Sequence, residues 1–173
     1  MSSPPDYFSL FQLPERFALD GEALDQAYRG VQAQVHPDRF AMAGSAERRV
    51  AAQWAALANE ALTTLRSPVK RAAYLCERHG VPIEAESNTA MPADFLMQQM
   101  QWREALDEGG TDPEARAELL REVGVARARL LEQLGEMLDE RADYPAAAAL
   151  VRRLMFVEKF AGELAAAGET LAA

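Results

Sequence analysis

Cysteine and histidine are almost absent, and that removes most metal and redox chemistry. Cys76 is the only cysteine in 173 residues, so no internal disulfide can form. His36 and His79 are the only histidines, and one thiol with two imidazoles cannot complete a four-ligand zinc site. No apolar stretch approaches the roughly 20 residues of a membrane span. The first residues, Met-Ser-Ser-Pro-Pro-Asp, have neither the basic start and apolar run of a secretory signal nor the Arg-rich pattern of an organellar presequence. A cytoplasmic location is the expectation. Excess positive charge is also missing: the net charge is −9. Residues 1–79 carry nine acids and nine bases, so the whole imbalance falls in residues 80–173. Such a surface repels phosphate backbones, which argues against nucleic-acid binding. There is no phosphate-binding glycine loop, no His-Glu-x-x-His and no nucleophile elbow, so no cofactor and no enzymatic activity are expected.

What is present is helix-forming sequence. Ala, Leu, Glu, Arg and Gln dominate, all favourable in helices or close to it. Asp20 is a good N-cap. Leu24, Tyr28, Val31 and Val35 then recur at four, three and four residues, one stripe of a helix that Pro37 ends. After a loop to Gly44, Ser45 is placed to cap a second long helix reaching about Arg66. Its predicted stripe is Trp54, Leu57, Ala58, Ala61, Leu62 and Leu65, and the two stripes face each other as an antiparallel hairpin. A short apolar element, Asp6 to Phe11, closes the hairpin core. Ser67-Pro68 opens a further helix, stopped by Gly80 as a left-handed cap. Cys76 lies within it and reads as a small core residue rather than a reactive thiol. Residues 80–91 lack periodicity and read as a linker. Three more helices follow, opened by Pro92, by Asp112-Pro113 (to about Arg141) and by Pro145 (to about Gly168). The expected fold is all-α: a helical hairpin module at 1–79, the linker at 80–91, and an acidic three-helix bundle at 92–173.

Two places stand out. The first is His36-Pro37-Asp38, at the end of one amphipathic helix and before a loop to the next. Pro37 restricts the backbone and lowers the entropy lost on binding. Asp38 offers a carboxylate that a partner's arginine can grip bidentately. His36 supplies a ring and a hydrogen-bond donor. Arg29 and Arg39 can steer an acidic partner. The plainer alternative makes Pro37 a helix stop and Asp38 an ordinary loop carboxylate. A general-base role for His36 has no nucleophile or metal set to accompany it.

The second is the helix after Pro92. At about 100° per residue from Phe95, Trp102 falls near 340° and Leu106 near 20°, which is one face. On the same count Leu96, Met100 and Met97 fall near 100°, 140° and 200°, which is another. A bundle buries one broad stripe. The other either packs on the rest of the chain or stays open as a binding patch. Phe156 lies off the stripe Leu150, Leu154, Val157, Ala161 and Leu164 of the last helix and is placed to join that outer face.

At the first place the chain resembles the J-domain family, through Asp6-Tyr7-Phe8, His36-Pro37-Asp38 followed by Arg39-Phe40, and Asn59-Glu60-Ala61. As a whole it resembles the HscB family, J-domain co-chaperones of iron–sulfur cluster assembly. That resemblance also rests on Phe95-Leu96-Met97 through Arg103-Glu104-Ala105-Leu106-Asp107-Glu108 and on Arg153-Leu154-Met155-Phe156. It implies a J-domain followed by a three-helix scaffold-binding domain. It further implies that His36, Pro37 and Asp38 dock on a DnaK-type, HscA-like ATPase and stimulate it. Leu96, Met97, Met100, Glu104 and Phe156 would then hold the scaffold protein IscU. Separately, the protein itself is expected to be a monomer. Two positions depart from the family pattern. Arg29 is the only basic residue between Glu22 and Val35, and Gln101 stands where the family often has an acid. There is no Gly/Phe-rich stretch and no repeated Cys-x-x-Cys, as general DnaJ-type proteins have.

Overall fold

The computed structural model describes residues 5–85, 91–109 and 112–172, with side chains to residue 167. Every regular element among them is helical, and the chain divides into two compact units, Met1–Leu75 and Cys76–Ala173. The expected linker at 80–91 falls partly outside the described residues.

In the first unit, α1 (Tyr7–Leu10) is capped by Asp6, whose carboxylate accepts from the Phe8 and Ser9 amides. Asp20 caps α2 (Gly21–Val35) in the same way, through Glu22 and Ala23. α3 (Ser45–Arg66) runs back along α2. Their antiparallel sense shows in the partners: Asp25 pairs with Arg66, and the Tyr28 hydroxyl donates to the Asn59 side chain at 2.7 Å. Phe8, Phe11, Leu24, Ala58, Ala61 and Leu65 fill the core. Pro68 opens α4 (Pro68–Arg78), and Tyr74 ties it to α1. The Tyr74 ring stacks on Tyr7 at 4.4 Å, and its oxygen accepts from the Tyr7 amide at 3.0 Å.

Two local expectations for α3 need correction. Its cap is Gly44, not Ser45. Glycine has no side chain to satisfy the helix amides, so the bond at this end runs the other way, from the Gly44 amide to the Glu47 carboxylate at 3.2 Å. Trp54 is not core but 39% exposed. It stands opposite the last turn of α2 and lines an open cleft with Val35 and Phe40.

In the second unit, α4 ends at Gly80, whose φ of 78° lies in the left-handed region. There the Val81 amide closes the helix onto the Cys76 carbonyl at 2.9 Å. A side chain at that φ is strained. Gly80→Ala is expected to cost about 1 kcal/mol of stability, measured by chemical denaturation.

Three helices follow: α5 (Ala93–Gly109), α6 (Pro113–Gly135, capped by Asp112) and α7 (Tyr144–Ala172). They bury Phe95, Trp102, Val123, Leu134, Leu154 and Phe160. α6 does not run evenly to Arg141: a π turn over Glu136–Glu140 closes it, which periodicity does not reveal. α7 also passes Gly168, where a stop was expected. A glycine inside a helix costs only about 1 kcal/mol, and the surrounding alanines offset that.

Cys76 is fully buried against α7, its thiol 3.7 Å from the Tyr144 carbonyl. Burial first, and the neighbouring Glu77 charge second, push the thiol up to about 11. Thiolate is therefore scarce at neutral pH. Native protein is expected to react with iodoacetamide at pH 8 far more slowly than unfolded protein. Equal rates, followed by mass spectrometry, would contradict the burial.

Candidate functional sites on the two units

The corner after α2 is built by its own backbone. His36 is the C-cap of α2 in an extended conformation, and Pro37 starts a single 3-10 turn, Pro37–Phe40. This replaces the loop expected from sequence. The His36 Nδ1 accepts from the Asp38 amide at 3.3 Å and lies 3.5 Å from the Asp38 carboxylate. With Nδ1 accepting, a neutral ring keeps Nε2–H as a donor for a partner. The His36 carbonyl accepts from the Arg39 amide at 3.0 Å. Arg39 also reaches back with its guanidinium to the Ala33 carbonyl at 3.2 Å, one of the last-turn acceptors a helix leaves open. The His36 and Asp38 side chains are 55% and 92% exposed. Among the described residues, the Asp38 carboxylate is paired with no arginine or lysine and has only the His36 ring beside it. Arg29 and Arg39 are exposed on the same unit.

Sequence reasoning missed the cleft behind this corner. Val35, Phe40, Val50, Ala51 and Trp54 line it, almost entirely with carbon. The signal is in the sequence, since Val50 and Trp54 are one helical turn apart, but the spacing of Trp54 also fits the core stripe predicted for α3.

On the second unit, α5 divides as its periodicity predicts. Phe95 and Trp102 face inward at 7% and 2% exposure, while Leu96, Met97 and Met100 are 44%, 62% and 71% exposed. Leu96, Met100 and Glu104 follow at four-residue spacing, so one outer face is apolar at its start and acidic further on. Glu104, Asp107 and Glu108 are all exposed.

Phe156 is not wholly on the outside. Its ring meets Phe95 edge-on at 5.9 Å and stacks with Phe160 at 6.2 Å, leaving it half-buried in the seam between α5 and α7. Arg103 lies 6.0 Å from the centre of that ring and pairs with Glu163 at 3.4 Å. Met155, next to it in the chain, is 42% exposed. No group of three or more potential metal ligands occurs among the described residues, and none of their helices is long and apolar enough to cross a membrane.

Comparison with known proteins identifies the family of the chain. Residues 91–165 match the family model described as the HSCB C-terminal oligomerisation domain. The co-chaperone protein HscB homolog of Bordetella pertussis is 59% identical over 162 residues, which cover 94% of this chain and 95% of that one. Among solved structures, chaperone HscB from Vibrio cholerae superposes with a TM-score of 0.84 at 36% identity, covering 96% of this chain and 99% of that one. Human co-chaperone protein HscB gives 0.89 at 25% identity, over 95% of this chain and 82% of that one. The corner and the two-faced α5 thus belong to one all-α architecture, a J-like unit followed by a helical one, and the chain is a member of the HscB co-chaperone family.

Proposed function

We propose that this chain is a two-armed adaptor for iron–sulfur cluster assembly. One arm is the corner His36-Pro37-Asp38 with Arg29 and Arg39. It docks on a DnaK-type, HscA-like ATPase and stimulates ATP hydrolysis by that partner. The other arm is Leu96, Met97, Met100, Glu104 and Phe156, and it holds an IscU-like scaffold protein. The observation that carries the reading is the Asp38 carboxylate, 92% exposed on a proline-fixed turn. An exposed acid on a preformed turn loses little entropy when an arginine of a partner grips it. Family membership supports the co-chaperone role.

The second arm rests on three neighbouring apolar side chains of α5 that no part of their own unit covers well. Methionine adapts to a partner surface, and the acids further along suit a basic rim on the scaffold. Coupling is then largely effective concentration: the client arrives beside the ATPase that will bind it. The cluster stays on the scaffold, because a single buried cysteine cannot hold one. The adaptor itself hydrolyses nothing, works in the cytoplasm and binds no nucleic acid.

The matching family model is named for oligomerisation. Here that assembly is read as joining with the scaffold, and the protein alone is read as a monomer. Light scattering after gel filtration should give about the chain mass of 19.0 kDa, whereas twice that mass would favour self-association. Immobilised adaptor should retain the scaffold without ATP and the chaperone with it. Retention of neither would remove the proposal.

A further inference from the structure

The second unit holds a polar cleft that neither arm uses. It lies where α5, α6 and α7 meet, is lined by Asp94, Gln98, Arg129, Gln133 and Arg153, and has a volume of about 390 Å³. That is within the range of about 300–1,000 Å³ typical of small-ligand sites.

Its arginines differ from the others around them. Arg103, Arg121, Arg127 and Arg141 each meet a carboxylate, and Arg152 donates to the Ile83 carbonyl at 3.0 Å. Arg129 and Arg153 have neither a hydrogen bond nor an ion pair among the described residues. The Arg153 guanidinium lies 5.9 Å from the centre of the Phe95 ring, and its Nε, like that of Arg152, is buried with no acceptor. Asp94 shares the lining but forms no ion pair with either arginine. Two guanidinium groups against one carboxylate leave the lining with an excess positive charge, inside a half of the chain that otherwise carries the whole net charge of −9. Gln98 and Gln133 add neutral amide donors.

We infer that this cleft is a binding site for a small oxyanion, held by Arg129 and Arg153. Planar guanidinium groups match carboxylate and phosphate oxygens alike. The site faces away from Leu96 and Met100, on the side of α5 turned toward α6, so it stands or falls independently of scaffold binding.

The test is thermal unfolding and titration calorimetry of the full chain. Sodium acetate, citrate and inorganic phosphate are compared with sodium chloride at matched ionic strength. One of the three oxyanions should bind saturably and raise Tm by about 5 °C or more at roughly a hundredfold over its dissociation constant. A carboxylate that binds where phosphate does not, or the reverse, identifies the chemistry. Arg129→Gln, on the exposed side of the cleft, should weaken binding about tenfold or more without loss of fold. Asp94→Asn should strengthen it by relieving repulsion. Arg153→Gln serves as a further variant if it remains folded. Shifts no larger than those in chloride, or saturable binding unchanged by Arg129→Gln, would overturn the assignment.

Discussion

His36→Gln should reduce stimulation of the partner ATPase to the unstimulated rate while leaving the helical circular dichroism and Tm of the protein unchanged. The reason is local. His36 terminates α2 with its side chain 55% exposed, and its ring contributes one intrachain bond, from the Asp38 amide at 3.3 Å. Glutamine keeps an acceptor for that amide, so the turn survives. It loses the aromatic ring and the position of the Nε2 donor, which face the partner. Asp38→Asn should act similarly, because a neutral amide cannot form the charge-assisted pair with arginine. Truncating one partner of such a pair at an interface costs about 2–5 kcal/mol, enough to lower affinity roughly 30-fold or more. Full stimulation by a folded His36→Gln protein would mean that the corner is only a helix stop.

The second large effect is expected on the other unit. Leu96→Ala with Phe156→Ala should weaken scaffold binding at least about 100-fold, with ATPase stimulation in the absence of scaffold kept. Hot-spot truncations at interface centres cost about 2 kcal/mol or more each. Leu96 is 44% exposed, so its loss leaves the core of the unit intact. Phe156 is different, since its ring lies against Phe95 and Phe160. Some of its truncation cost therefore falls on stability. Leu96→Ala paired with Met100→Ala separates the two contributions, because Met100 is 71% exposed. That pair should lose scaffold affinity with Tm unchanged. Scaffold binding unaffected in both double variants would move the interface elsewhere.

Much of this was legible in the sequence, because the signals are local. Asp20, Asp112-Pro113, Ser67-Pro68 and Gly80 mark helix ends through chemistry confined to a few residues, and each helix begins or stops there. The division of α5 into a buried and an open face was readable for the same reason, since both faces lie on one helix and its angles are fixed. What escaped depends on what stands opposite. Trp54 has the spacing of a core residue, but it lines an open cleft with Val35 and Phe40. Phe156 lies off its own helix's stripe, yet α5 brings Phe95 against it. The π turn after α6, the apolar cleft behind Phe40, and the cleft that Arg129 and Arg153 both line arise from how helices pack, which no single periodicity contains. Residues 86–90, in the stretch read as a linker, lie outside the described residues.

If the corner His36-Pro37-Asp38 works as a trigger on an ATPase, single-turnover ATP hydrolysis shows it. A DnaK-type chaperone of the HscA kind, preloaded with labelled ATP, is mixed with this protein, with scaffold, with both, or with neither. Hydrolysis should be accelerated by the protein alone, more with scaffold added, and not at all with His36→Gln in any combination. A hydrolysis rate that stays at the chaperone's own value with wild-type protein and scaffold both saturating would contradict it.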